Sequence, residues 1–148
     1  MKKFLPAAGL AAALAGSALA FTGAALAHGP DDAVAKSPPA QPYQQVSKLV
    51  KLPDFIPGLG QLFVDPKTLP AGPFLAYDHD GNLVSTIYMI PVADLNPNKT
   101  FDDLGSAGGT VVDHVDIYYN AGHPGVEVPH AHFILWHVSP DEEARVAE

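Results

Sequence analysis

Proline and glycine recur along the whole of this chain, and they restrict what it can fold into. Fifteen of its 148 residues are proline and thirteen are glycine. The proline share is about twice the usual ~5%, and each proline removes a backbone donor and interrupts helical hydrogen bonding. The sequence therefore argues against a helix bundle, and its length argues for one domain.

The first residues have the composition of a secretory signal. Lys2 and Lys3 precede an uncharged stretch rich in Ala and Leu, from Phe4 to Ala20, which matches the charged and apolar regions of such a signal. Of two competing cleavage sites, the one after Ala27 leaves a polar start. We predict a signal peptide at residues 1–27 and a periplasmic or secreted protein without stable membrane insertion after cleavage, the alternative being an uncleaved anchor.

The rest of the chain divides by composition. Residues 28–47 are rich in Pro, Ala, Gln and Asp and almost lack large apolar side chains, which predicts a flexible tether because little surface can be buried there. A single β-rich domain is expected at residues 48–140. Residues 141–148 are expected to form a C-terminal tail or a short helix turn.

Strand patterns dominate the expected domain. Runs of β-branched and aromatic residues predict strands at residues 74–77, 83–90, 110–119 and 126–138, and the Asp80-Gly81 pair predicts a tight reversal between the first two. Pro129 indicates an edge position, a bulge, or a strand that begins at His130. A single capped turn is expected at residues 100–104. We predict a mainly β fold, a small antiparallel β-sandwich or barrel with short helical turns.

Charge and cysteine content exclude several functions. The formal net charge is −8, and the chain contains no cysteine. A nucleic-acid binder needs a basic patch, and this balance speaks against one. Without cysteine there is no disulfide scaffold, cysteine-based metal site or thiol nucleophile. No sequence motif for a serine nucleophile elbow, a phosphate loop or a dinucleotide site is present.

His130 and His132 are the residues that most suggest a metal site. On a strand they point to the same face with their Cα atoms ~6.6 Å apart, a spacing at which two imidazoles can reach one ion. The alternative is a pair of partly exposed histidines with no ligand. His137 has the opposite parity and is expected on the other face.

Strand register decides whether His114 and Asp116 join this pair. An antiparallel register in which opposed residue numbers have an even sum keeps them on the same face, and a sum of 246 places His114 opposite His132 and Asp116 opposite His130. An odd sum sends His114 to the other face. We also expect the apolar set on that strand, Val111, Val115, Ile117 and Tyr119, to face the core.

The remaining histidines lie in loops or at the predicted mature terminus. His123 is expected either to close over the site or to be a solvated turn residue. His79 is expected at a hairpin tip. His28 would follow the cleavage site, where an α-amino group and an imidazole together can chelate copper.

Two resemblances extend this interpretation. Gly125 to His132 resembles the first metal motif of the cupins, in which glycine precedes a His-x-His pair on a barrel strand, but the later cupin glutamate and second motif are absent. Residues 53–140 more broadly resemble an uncharacterised family of small exported bacterial proteins, through Pro57-Gly58-Leu59-Gly60, the Asp80-Gly81 hairpin and the late Pro129-His130 segment. That resemblance implies an exported β-rich domain that forms a homo-oligomer or a monomer, with no assigned reaction.

Three functions follow from these observations. The first is an exported soluble protein that binds a divalent transition metal, zinc or copper, and that binds or senses the ion rather than catalysing a reaction. Its expected ligands are His114, His130 and His132, with Asp116 or His123. The second is a metal-dependent enzyme of the small-barrel, cupin-like type. The third is a structural or assembly protein without a metal.

Overall fold

The computed structural model describes residues 32–148. The predicted signal peptide and His28 lie outside this part of the chain. No helix in the described residues combines the length and the apolar character that crossing a membrane requires.

The described chain forms one six-stranded antiparallel sheet. Its strands lie in the spatial order β1-β2-β3-β4-β6-β5. They are β1 (Gln44–Gln45), β2 (Gln61–Val64), β3 (Phe74–Tyr77), β4 (Leu83–Pro91), β5 (His114–Asn120) and β6 (His130–Trp136). The predicted mainly β class is confirmed, and in the described residues the sheet is open and not closed as a barrel.

Short 3₁₀ helices complete the architecture. They are Val46–Lys48, Pro66–Thr68, Val92–Asp94, Ala107–Gly109 and Pro140–Val146. The last begins after Ser139, which forms a capping box with Glu142, an arrangement that satisfies free backbone donors at a helix start. The capped turn expected at residues 100–104 is wrong, since no helical turn forms there.

The β3–β4 hairpin forms where the Asp80-Gly81 pair predicts it. Gly81 has a φ of 73°, a conformation that glycine adopts without steric cost. The buried Asp78 carboxylate accepts hydrogen bonds from the Asn82 backbone N–H at 2.7 Å and from Arg145 Nε at 2.9 Å. The hairpin is therefore tied to the C-terminal 3₁₀ helix.

Alternation of side chains gives the sheet two faces. The first face carries the larger apolar core, in which Phe74, Ile87 and Trp136 are each 2% exposed. The second face carries a smaller core around Phe63, Leu75 and Tyr77. His130 and His132 lie on the first face, in line with Ile134 and Trp136.

The described part of the expected tether packs against the sheet. Val34 is buried, Lys36 forms a β-bridge with Asn82, and β1 pairs with β2. The Tyr77 hydroxyl also donates to the Val34 carbonyl at 2.8 Å. A few apolar side chains and backbone hydrogen bonds hold this segment against the sheet. Composition alone does not reveal such contacts.

Strand β5 does not bury the apolar side that the sequence predicted. Val111, Val115, Ile117 and Tyr119 are 50–73% exposed, so the expectation that they face the core is wrong. The reason is that β5 is an edge strand of the sheet. Alternation along a strand shows that two faces differ, but it does not show whether another layer covers either face.

Candidate metal centre

Strand β6 places two histidines side by side in the interior. His130 is 0% exposed and His132 is 2% exposed, and their rings stack with centroids 4.8 Å apart. Their Nε2 atoms lie 2.9 Å apart. The prediction that these side chains share a face is confirmed. The strand begins at His130, which is one of the three alternatives that Pro129 left open.

A tight turn brings His123 to the same place. Pro124 and Gly125 form the turn between His123 and Val126, whose backbone groups pair in both directions at 3.0 Å. Gly125 has a φ of 93°, as a Pro-Gly turn of type II requires. The His123 ring stands edge-on to the His130 ring at a centroid distance of 4.8 Å.

These three histidines form a group with the dimensions of a metal site. One nitrogen from each of His123, His130 and His132 lies within 4.8 Å of the others. We call this group the His cluster. A tetrahedral ion with Zn–N distances of ~2.0–2.1 Å needs three such nitrogens about 3.3 Å apart, so small side-chain movements bring the set to that geometry.

An oxygen atom lies within hydrogen-bond distance of Nδ1 in all three rings. Nδ1 of His130 lies 2.8 Å from the Val128 carbonyl, and Nδ1 of His123 lies 3.1 Å from the Pro124 carbonyl. Nδ1 of His132 lies 3.0 Å from the Tyr118 hydroxyl. When each Nδ1–H donates to its oxygen, each Nε2 keeps its lone pair free for a metal ion, which is how metal-binding histidines are normally oriented. The Nε2 atoms of His130 and His132 face each other.

The same contacts are also complete without an ion. The Tyr118 O–H can donate to Nδ1 of His132, the Nε2–H of His132 to Nε2 of His130, and the Nδ1–H of His130 to the Val128 carbonyl. Both states satisfy the buried nitrogens. Binding an ion therefore requires only that His132 move its proton to the nitrogen that faces Tyr118.

Burial keeps His132 neutral and able to bind a cation. Burial, with smaller effects from His130 and His123, lowers the pKa of His132 to about 4. A histidine with such a pKa is neutral at physiological pH. No proton then has to leave His132 before a metal ion binds.

An apolar cavity adjoins the His cluster. It has a volume of about 280 Å³, and its wall includes His123, His132 and Tyr118 together with side chains of the larger core. Ligand sites of small molecules are mostly apolar clefts with a few polar groups. The cavity therefore reaches two of the three histidines of the His cluster.

His114 and Asp116 do not reach the His cluster. The register has the even sum that keeps them on the same face, but Trp136 lies opposite His114, and Tyr118 lies opposite His132. The prediction that His114 lies opposite His132 is therefore wrong, because His114 pairs with a residue nearer the C-terminal end of β6 than expected. Side-chain alternation determines which residues of one strand share a face, whereas the offset between two paired strands depends on the loop that connects them.

His114 instead belongs to a second polar group at the sheet edge. Its Nδ1 lies 3.0 Å from Asp113 and its Nε2 2.9 Å from Glu143. Asp116 accepts a hydrogen bond of 2.8 Å from the Trp136 indole. Burial alone would lower the pKa of His114, but the two carboxylates raise it. His114, Asp116 and Glu143 have metal-compatible spacing, yet each is already engaged by a neighbouring side chain.

His137 and His79 contact residues outside the His cluster. Nε2 of His137 accepts from the Thr86 hydroxyl at 2.9 Å and its Nδ1–H donates to the Val111 carbonyl at 3.1 Å. The Thr110 hydroxyl, which donates to the Ala107 carbonyl, lies 3.1 Å from the same Nε2. It lies on the second face, as its parity predicted. His79 is at the hairpin tip and stacks on Phe55 with ring centroids 3.7 Å apart.

Tyr118 is the site residue that the sequence did not identify. Its hydroxyl contacts His132 and its ring stacks on the same imidazole, with centroids 4.8 Å apart. The sequence did indicate that Tyr118 shares a strand face with His114, because the two residues are an even number of positions apart. Only the actual register shows that Tyr118 takes the place expected for His114.

Comparisons with known proteins identify relatives without an assigned reaction. The family model TTHB210-like, described as hypothetical protein TTHB210, matches residues 78–119. A structural match is the crystal structure of hypothetical protein TTHB210 from Thermus thermophilus. It has 50% sequence identity and a TM-score of 0.57, and the match covers 65% of this chain and 93% of that chain. No curated protein matches.

These findings bear out part of the expected resemblance. They support a small β-rich family of hypothetical proteins. The late Pro-His motif and the cupin resemblance stay predictions. The residues that the family model matches include Tyr118 but end before the His cluster.

Proposed function

This chain belongs to the TTHB210-like family of hypothetical proteins, and we propose that it is an exported protein that binds one divalent transition metal ion in the His cluster. The observation that carries the proposal is the orientation of three imidazoles. His130 and His132 turn Nδ1 to an oxygen and Nε2 to each other, and His123 brings a third imidazole nitrogen within 4.8 Å. Three neutral nitrogen ligands suit zinc, with copper as the second choice.

Binding is favoured over catalysis by what surrounds the cluster. Hydrolytic metal enzymes place a general base near the metal-bound water. Among residues 32–148, no aspartate or glutamate lines the adjoining cavity. Asp116, the carboxylate that the sequence suggested for this role, is engaged by Trp136 instead. A metal-dependent enzyme is the second candidate, because the cavity beside the His cluster has room for a small substrate.

Zinc titration of the purified protein tests the proposal. We expect about one equivalent of zinc per chain, with binding abolished when His130 and His132 are both replaced by glutamine. His114→Gln is the matched control, because it removes an imidazole from the second polar group and leaves the His cluster intact. Binding of less than about a tenth of an equivalent of zinc and copper would refute a metal function. Loss of binding in His114→Gln would instead place the ion in the second group.

The exposed side of β5 supports self-association as a second property. Val115, Ile117 and Tyr119 form a strip at the open edge of the sheet, and such edges pair readily with an identical strand. Sedimentation of the protein and of Ile117→Glu tests this. A homo-oligomer that dissociates in the variant supports the proposal, and a monomeric parent protein refutes it.

A further inference from the structure

The cavity beside the His cluster has a shape and a composition that the binding of an ion alone does not require. Its volume of about 280 Å³ lies near the lower end of the ~300–1,000 Å³ typical of small-molecule sites. Most of its wall is aliphatic or aromatic. Among the lining residues are Val46, Leu62, Val64, Phe74 and Met89.

The polar side chains on the wall of this cavity lie close to one another. Within the part of the chain that the structure describes, the polar side chains on its wall are Tyr118, Asn120, His123 and His132, and no charged residue lines it. A ligand that fills the cavity therefore meets apolar surface along its body and the His cluster at its head. This is the pattern of a site for an amphipathic molecule.

The charge of an occupied site indicates the chemistry of that head. Three neutral imidazoles leave the charge of a divalent ion uncompensated in a mostly apolar interior. Burying a charge without a partner is unfavourable. Because no protein carboxylate lines the cavity, the negative charge has to come from the fourth ligand of the ion, which a hydroxide or an anionic group of a bound molecule can supply.

We propose that the cavity binds a small carboxylate with an aliphatic tail, whose carboxylate oxygen coordinates the ion in the His cluster. The inference rests on the proposed metal function and adds the class of ligand. The tail packs against the apolar wall, and the carboxylate completes the coordination. No covalent bond in the ligand is formed or broken.

Three probes separate the contributions of head and tail. Hexanoate carries both, acetate carries only the head, and hexan-1-ol carries mainly the tail. The full chain is loaded with Co²⁺, whose visible spectrum reports changes in its coordination, and each probe is titrated with and without the metal. Affinity is followed in parallel by calorimetry on the zinc-loaded protein.

We expect hexanoate to bind about 10- to 100-fold more tightly than acetate, because four additional methylene groups are buried. Hexanoate and acetate should change the cobalt spectrum, and hexan-1-ol should not. Removal of the metal should weaken hexanoate by about tenfold or more. Equal affinities for hexanoate and acetate would overturn the inference but not the proposed metal site. The same holds for a hexanoate affinity that is equal with and without the metal.

Variants at the cavity rim provide a second measurement. Leu49→Trp and Leu69→Trp place bulk on lining residues that are 37% and 44% exposed, whereas Leu104→Trp does so at an exposed site away from the cavity. The first two should weaken hexanoate and leave acetate and metal affinity unchanged, and Leu104→Trp should alter neither. A chain that binds neither Co²⁺ nor zinc would refute the proposed function and, with it, this inference.

Discussion

His130 and His132 place their Nε2 atoms 2.9 Å apart in the interior of the protein. Two nitrogens at this distance share either a proton or, after a small movement, a metal ion. The backbone does not have to rearrange between these states, because both histidines project from one rigid strand. The site is therefore preorganised, and its properties can be tested through the groups that hold it.

The Tyr118 hydroxyl should tune metal affinity. It lies 3.0 Å from Nδ1 of His132, and removing such an outer partner of a ligand typically weakens metal binding about 10- to 100-fold. Tyr118→Phe should therefore weaken zinc by about that factor in calorimetry. Tyr119→Phe is the control, because that side chain is exposed on the other face. Unchanged zinc affinity in Tyr118→Phe would show that the hydroxyl does not orient His132.

The Gly122 backbone should be needed to present His123. A methyl group at Gly122 would lie 2.6 Å from the Glu127 carbonyl oxygen, so Gly122→Ala must displace the loop. Zinc binding should weaken by more than about tenfold, since one of three ligands moves away. Gly58→Ala is the matched control, because Gly58 also has a positive φ but nothing lies within 4 Å of the added atom. Equal zinc affinity in both variants would argue that His123 is not a ligand.

His132 should make the metal-free protein sensitive to acid. Burial lowers its pKa from 6.5 to about 4, so between these values the unfolded state binds more protons than the folded state. Stability is then full above about pH 6.5 and is lost progressively as the pH falls toward 4. Urea unfolding at about pH 7 and pH 5 should show a smaller loss in His132→Gln than in the parent protein.

His79→Gln provides the control for this measurement, because His79 is exposed at the hairpin tip. Its loss of stability between the two pH values should match that of the parent. If His132→Gln lost as much stability as the parent, the neutral state of His132 would not contribute to acid sensitivity.

Asp78 should stabilise the fold by joining the β3–β4 hairpin to the C-terminal 3₁₀ helix. Burial alone would raise the pKa of Asp78, but hydrogen bonds from Asn82 and Arg145 and the charge of Arg145 outweigh it and lower the pKa below 3.8. Its contribution is therefore present above about pH 4 and is lost as the pH falls through its folded pKa. Asp78→Asn should lower the free energy of unfolding at neutral pH by about 1–3 kcal/mol.

The matched control for Asp78 is Asp80→Asn, in the exposed tip of the same hairpin. It should change the free energy of unfolding by less than about 0.5 kcal/mol. Equal losses in the two variants would show that the Asp78–Arg145 contact adds nothing beyond the general charge of the hairpin.

Local chemistry explains which parts of the fold were predictable. The Asp80-Gly81 turn and the parity of His130 and His132 depend on residues close in sequence. The buried segment around Val34 and the exposed side of β5 were missed, because each depends on which surfaces the rest of the chain covers.

The sequence by itself determined that the chain is mainly β and that two histidines share one face of a strand, since turn residues and side-chain alternation act over a few neighbouring residues. Only the tertiary structure decided which residues complete the site. The offset between β5 and β6 put Tyr118 where His114 was expected, and the turn at Pro124-Gly125 brought in His123. Register and loop packing depend on the balance of the whole sheet, and for that reason no local pattern could specify them.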